Sequence, residues 1–127
     1  MIIKQLSVFL ENRPGTLDES LGVLKKAGVN MKALSLADTS EFGILRIITD
    51  DPDEAKQAMK SAGYTSIVSD VLAVELKHEV GYLADIVSSL SDAGINIEYM
   101  YATPSESSAA RMIIKTDDVQ KAEEAVS

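Results

Sequence analysis

The sequence predicts an α+β protein made of two copies of one ferredoxin-like unit. Each copy reads β-α-β-β-α-β, a four-stranded antiparallel sheet with two helices on one face. Three observations predict it. Stretches that alternate apolar and polar residues are followed by stretches with apolar residues at i, i+4 and i+7, in that element order. A glycine turn, Glu11-Asn12-Arg13-Pro14-Gly15-Thr16-Leu17, joins the first strand to the first helix. The whole pattern recurs without a gap at an offset of 66 residues (81 − 15 = 66): Leu6, Val8 and Leu10 fall on Leu72, Val74 and Leu76, and Ala27-Gly28-Val29-Asn30 falls on Ala93-Gly94-Ile95-Asn96.

The elements follow in order. Ile2 to Leu10 alternates as a strand, with Leu6, Val8 and Leu10 on one face. Pro14 fixes its own φ and biases Arg13 toward extended backbone, which ends that strand. Leu17, Leu21 and Leu24 give the first helix, about Gly15 to Ala27, a buried stripe, and Gly28 caps it. Val29–Ala37 and Ile44–Thr49 are close enough in sequence to form an antiparallel hairpin, turned by Asp38, Thr39, Ser40 and the residues from Glu41 to Gly43. Asp50-Asp51-Pro52-Asp53 starts a second helix with an acidic cap and a proline in the first turn, and Gly63 ends it. Tyr64–Ser69 is a fourth strand.

Asp70 is the single break before the second copy, so residues 1–70 and 71–127 are expected as two units packed side by side. The second copy has strands Val71–Lys77, Ile95–Thr103 and Arg111–Thr116, a helix over Gly81–Ala93, and a last helix starting at Asp117-Asp118. By the repeat, a final strand of about ten residues is expected after Ser127, and its place is empty in the sequence given.

Composition narrows the function. Of 127 residues, twenty are acidic and twelve basic, a formal net charge of −8 that repels phosphate backbones and argues against nucleic acid. With no cysteine there is no disulfide, thiolate metal site or thiol nucleophile. The start is not a signal peptide and no stretch approaches a membrane span, so a cytoplasmic protein is expected, without a membrane partner. No glycine-rich phosphate loop occurs, and the strands Ile44–Ile48 and Arg111–Ile114 carry no aromatic residue on which a base could stack. His78 is the only histidine and reads most simply as an exposed loop residue; Asp50, Asp51 and Asp53 read as helix-start chemistry. No catalytic set and no cofactor or metal site emerge.

The glycine turn has two readings. It is a well-formed strand-to-helix turn, or a site where a carboxylate meets the first amides of the helix while Asn12 offers a carboxamide. Asn30 likewise either bonds its own turn or contacts a ligand. Here a family becomes recognisable. Glu11-Asn12-Arg13-Pro14-Gly15-Thr16-Leu17, followed by Ala27-Gly28-Val29-Asn30-Met31, resembles the ACT domain, a small-molecule-binding regulatory module, and in particular the serine-sensing domain of phosphoglycerate dehydrogenases. The duplicated order resembles stand-alone ACT pairs.

That resemblance implies an eight-stranded antiparallel sheet with all helices on one face, and an amino acid held at the interface between the two ACT units. The implied ligand-binding residues are Asn12, Arg13, Pro14, Gly15, Thr16 and Asn30, with His78, Gly81 and Asn96 at matching positions in the second copy. Val80 stands where the first turn has Pro14, and Leu10 where the serine-sensing pattern has a histidine. The strands starting at Val29 and Ile95 are expected at the junction of the units, and a homodimer through the sheet face is expected to cover residues such as Phe9 or Ile48. Two functions are weighed: a non-enzymatic amino-acid sensor that signals to a separate protein by contact, and an interaction subunit with vestigial pockets that contacts a metabolic enzyme, for which the resemblance suggests an acyl-CoA ligase.

Overall fold

The computed structural model describes residues 1–38 and 41–127. Its elements are β1 (Ile2–Glu11), α1 (Thr16–Lys26), β2 (Met31–Asp38), β3 (Phe42–Thr49), α2 (Pro52–Ser61), β4 (Thr65–Leu76), α3 (Tyr82–Asp92), β5 (Ile97–Thr103), β6 (Ala110–Thr116) and α4 (Val119–Val126). They form two compact units, Lys4–Ser69, and Asp70–Ser127 together with Met1–Ile3. The Met1 carbonyl accepts a bond from the Ala73 amide at 2.7 Å and the terminal ammonium pairs with Glu123 at 3.3 Å, which ties the first residues to the second of these units.

In the first unit the strands run in the order β2-β3-β1-β4. The antiparallel register sets Leu6 against Ile47 and Val8 against Leu45 in β1 and β3, and Leu34 against Ile47 and Leu36 against Leu45 in β2 and β3. Alternation then gathers Leu6, Val8, Leu10, Leu45 and Ile47 on one face, where Leu24 of α1 and Ala55 and Met59 of α2 close the core. The second unit repeats the arrangement: Leu72 pairs with Ile114 and Val74 with Met112, and Leu90 and Ala122 cover them.

Helix starts differ in kind. The Asp51 carboxylate caps α2 by accepting from the Glu54 amide at 3.0 Å, with Pro52 in the first turn, and Asp118 caps α4 by accepting from the Lys121 amide at 3.1 Å. Asp51→Ala is expected to cost about 1 kcal/mol, read as a lowered urea midpoint with an unchanged slope; no change would mean the proline alone sets this helix start.

One expectation is corrected. The strands expected at Tyr64–Ser69 and Val71–Lys77 run on as one, β4, because Asp70 keeps its amide and takes no positive φ here, and an L-residue that keeps extended backbone does not break a strand. The described residues accordingly hold six strands. Among the described residues β2 is bonded to β3 and β5 to β6. Within the single chain Ile48 is only 6% exposed and Phe9 is half-buried. The hairpin turn at Thr39 and Ser40 lies outside the described residues.

Candidate functional site

The first turn is built by its own backbone. After β1 ends, the Arg13 amide donates to the Glu11 carbonyl at 2.9 Å, and the Thr16 amide and hydroxyl both donate to the Arg13 carbonyl, at 3.4 and 3.0 Å. Gly15 is the N-cap of α1 in left-handed backbone, φ 90°, and no side chain caps this helix, in contrast to α2 and α4. The first-turn amides of α1 therefore have no side-chain hydrogen-bond acceptor, while Asp18 and Glu19 in the same turn complement the dipole.

A cavity of about 250 Å³ opens against this helix start. Leu10, Asn12, Arg13, Thr16, Leu36 and Asp38 are among the residues lining it. Three of the expected site residues, Asn12, Arg13 and Thr16, come together here. Pro14 and Gly15 shape the turn without lining the cavity. Asn30 is elsewhere: it precedes β2, whose first residue Met31 pairs with Thr49, whereas the Asn12 amide bonds the Glu41 carbonyl beside the far end of that hairpin, where Asp38 pairs with Gly43. Eight residues of strand put Asn30 roughly 25 Å from Asn12, so one unit cannot bring both to one ligand. The sequence reasoning missed Asp38 and Leu36. Their signal was available: β1 and β2 are joined through a helix and run parallel, so the end of β2 must lie level with the end of β1.

The second turn keeps the backbone and changes the chemistry. Gly81 is again a left-handed N-cap, φ 81°, of a helix with no side-chain cap. At the offset of 66, His78 replaces Asn12, Glu79 replaces Arg13, Tyr82 replaces Thr16 and Pro104 replaces Asp38. His78 is exposed, and the Lys77 ammonium lies 5.8 Å from the Tyr82 ring centre. Asn96 is again at the opposite end of its unit, where its amide donates to the Asp117 carboxylate at 3.1 Å and its carbonyl accepts from the Asp117 amide at 3.3 Å.

Beside this turn, Glu75 gathers donors: the Ser105 hydroxyl at 2.8 Å, the Ser108 hydroxyl, and Arg111 Nε at 3.0 Å. The two serine hydroxyls, Ser108 first, and then Arg111 hold its carboxyl below the usual carboxylate range. A lowered value means the contribution is present above the unfolded pKa, about 4.3, and is lost as pH falls through the folded one. Amide exchange over residues 104–109, corrected for intrinsic rate, is expected to speed up below about pH 4, and Glu75→Gln to loosen the same loop at neutral pH. Equal protection in the variant would remove Glu75 as the anchor. The effect on overall stability is small, because the carboxylate is exposed.

Arg13 is the main charge at the first site. Its Nε meets Glu11 Oε2 at 3.0 Å and its Nη2 meets Glu19 Oε2 at 3.6 Å, and the hydrogen bond to Glu11, more than any other contact, raises the guanidinium pKa. Arg13 also borders a second cavity of about 340 Å³ on the other side of the turn. Among the described residues, no cluster of three or more histidine, aspartate or glutamate side chains could hold a metal, and no helix is long and apolar enough to cross a membrane.

Comparison with known proteins follows the same lines. The family model for an ACT domain pair matches residues 1–127. The crystal structure of protein BT0572 from Bacteroides thetaiotaomicron is 38% identical, over 99% of this chain and 87% of that one, with a TM-score of 0.90. The regulatory subunit of aspartate kinase from Thermus thermophilus, in its ligand-free form, is 15% identical over 99% of this chain and 93% of that one, with a TM-score of 0.69. The corresponding subunit from Thermus flavus is 17% identical over the same shares, with a TM-score of 0.66. At these last two identities the likeness is one of fold. No curated protein matches the chain in sequence.

Proposed function

The chain belongs to the ACT domain pair family, and on that premise we propose that it is a non-enzymatic, cytoplasmic regulatory module that binds a free amino acid at the first glycine turn. One observation carries the reading: a cavity of amino-acid size abuts a helix start that no side chain caps, with one guanidinium (Arg13) and two carboxylates (Glu11, Asp38) on its wall. An amino acid presents a carboxylate and an ammonium on one carbon. The carboxylate suits the first amides of α1 and Arg13. The ammonium suits Asp38 and the Asn12 carbonyl. Leu10 and Leu36 leave room for a short apolar or hydroxylated side chain.

Asn30 belongs to this site only when a second ACT surface delivers it. Among the described residues β2 is bonded on one side only, and antiparallel pairing of its other edge with another β2, in the register centred on Leu34, would set Asn30 of one level with Asp38 of the other. The ligand then lies at an ACT–ACT interface, as the resemblance implies, and its binding passes by contact to a separate enzyme.

The test is a thermal-shift screen of the twenty amino acids on the full chain. At tenfold excess over its dissociation constant, the right one stabilises by about 1.4 kcal/mol, a shift of a few degrees. Asn12→Ala and Asp38→Asn are expected to remove most of that shift while moving the unliganded midpoint by no more than about 0.5 kcal/mol, since both residues are exposed. Binding that survives both substitutions, or no amino acid that stabilises the protein, would reject the site.

A further inference from the structure

We propose that the second cavity, on the opposite side of the β1–α1 turn, is a separate binding site for a small organic cation of the alkylammonium type. It lies wholly within the first unit and is walled by Phe9, Phe42 and Tyr64 together with Glu11, Glu19 and Arg13. The chain has two phenylalanines and four tyrosines, so both phenylalanines and one tyrosine converge on this one space. Within the first unit the core beneath the sheet is aliphatic, and a core alone would not call for three rings at the surface end of a strand. Phe42 is 47% exposed, a large apolar group left beside open volume.

The charges select the sign of the ligand. Two carboxylates and one guanidinium leave this wall with a formal charge of −1. Arg13 demonstrates what the site favours, because both carboxylates already turn to its cation, Glu11 at 3.0 Å and Glu19 at 3.6 Å. The Tyr64 hydroxyl is close enough to feel both ions: burial raises its pKa first, Glu19 raises it further and Arg13 opposes. A monocation placed here gains from the residual negative charge and from the ring faces, whose quadrupoles attract cations. An anion would meet the carboxylates. The site shares Glu11, Arg13 and Thr16 with the amino-acid cavity, but its three rings and Glu19 line this space alone, and it does not rest on the function proposed above.

The experiment is an NMR titration of the full chain with tetramethylammonium chloride, read on the ring signals of Phe9, Phe42 and Tyr64, against sodium chloride at matched ionic strength. Saturable shifts are expected with the ammonium salt only. Glu19→Gln and Glu11→Gln, both at exposed positions, should each weaken binding by about threefold or more. Arg13→Gln should tighten it, because it frees two carboxylates. The neutral isostere 3,3-dimethylbutan-1-ol should bind more weakly than the cation. The proposal is overturned by the absence of saturable shifts, by equal affinity for the neutral isostere, which would mark a merely apolar cleft, or by loss of binding in Arg13→Gln, which would mark an anion or zwitterion site.

Discussion

Leu24→Ala and Leu90→Ala are each expected to destabilise their own unit by about 3 kcal/mol. The two leucines are related by the repeat offset, both are fully buried, and each is the main contribution of its helix to a separate core. Truncating a buried leucine loses the transfer free energy of the removed carbons and leaves a cavity that a sheet-backed core relaxes into only partly. Backbone hydrogen exchange distinguishes the units. Leu24→Ala should collapse protection of β1 and β3, and Leu90→Ala that of β6. A loss below about 1 kcal/mol in either variant would mean that the helix is free to shift and refill the space. Urea denaturation supplies the overall magnitude, and the unit-resolved exchange shows where it is lost.

Gly15→Ala is expected to cost about 1–2 kcal/mol, and Gly22→Ala to do the opposite. Gly15 holds φ 90°, a left-handed conformation that an L-residue reaches only at that cost, yet a methyl group there would meet nothing within 4 Å. The loss is therefore backbone strain alone. Gly22 lies in the interior of α1 with ordinary helical backbone, and its methyl would also meet nothing within 4 Å. Alanine there should stabilise by about 0.5–1 kcal/mol, by raising helix propensity and narrowing the unfolded ensemble. Thermal or urea midpoints check both. The Gly15 variant carries a second readout: since the turn aims the first amides of α1, amino-acid binding should weaken along with stability. If Gly15→Ala is neutral, the turn tolerates another backbone conformation and cannot be the rigid seat of a carboxylate.

Element order and core were legible because they are written in period. Leu6, Val8 and Leu10 alternate, Leu17, Leu21 and Leu24 recur helically, and the same letters return 66 residues later. Each such pattern has one way to bury its apolar face, and the register of β1 on β3 follows from it. The caps at Asp51 and Asp118 were legible for a similar reason, since an acid just before a helix acts on amides two or three residues away. A single aspartate does not by itself end a strand. Asp70 marks the boundary between the units, yet β4 runs through it, because one polar side chain does not change the backbone of a strand whose neighbours on both sides are extended.

The sequence by itself determined the repeat, the α+β class, the buried stripe of each helix and the two glycine turns, because all of these depend on interactions between residues close in the chain or on the simple parity of a strand. Only the tertiary structure decided which polar groups share a cavity. Asn12 and Asn30 are separated by the full length of β2, while Asn12 and Asp38, 26 positions apart in sequence (38 − 12 = 26), border the same cavity. Arg13 stands between two cavities and is held by Glu11 and Glu19. Such neighbours are set by how parallel strands and the helix between them stack, and that stacking brings together side chains whose identities no local pattern constrains.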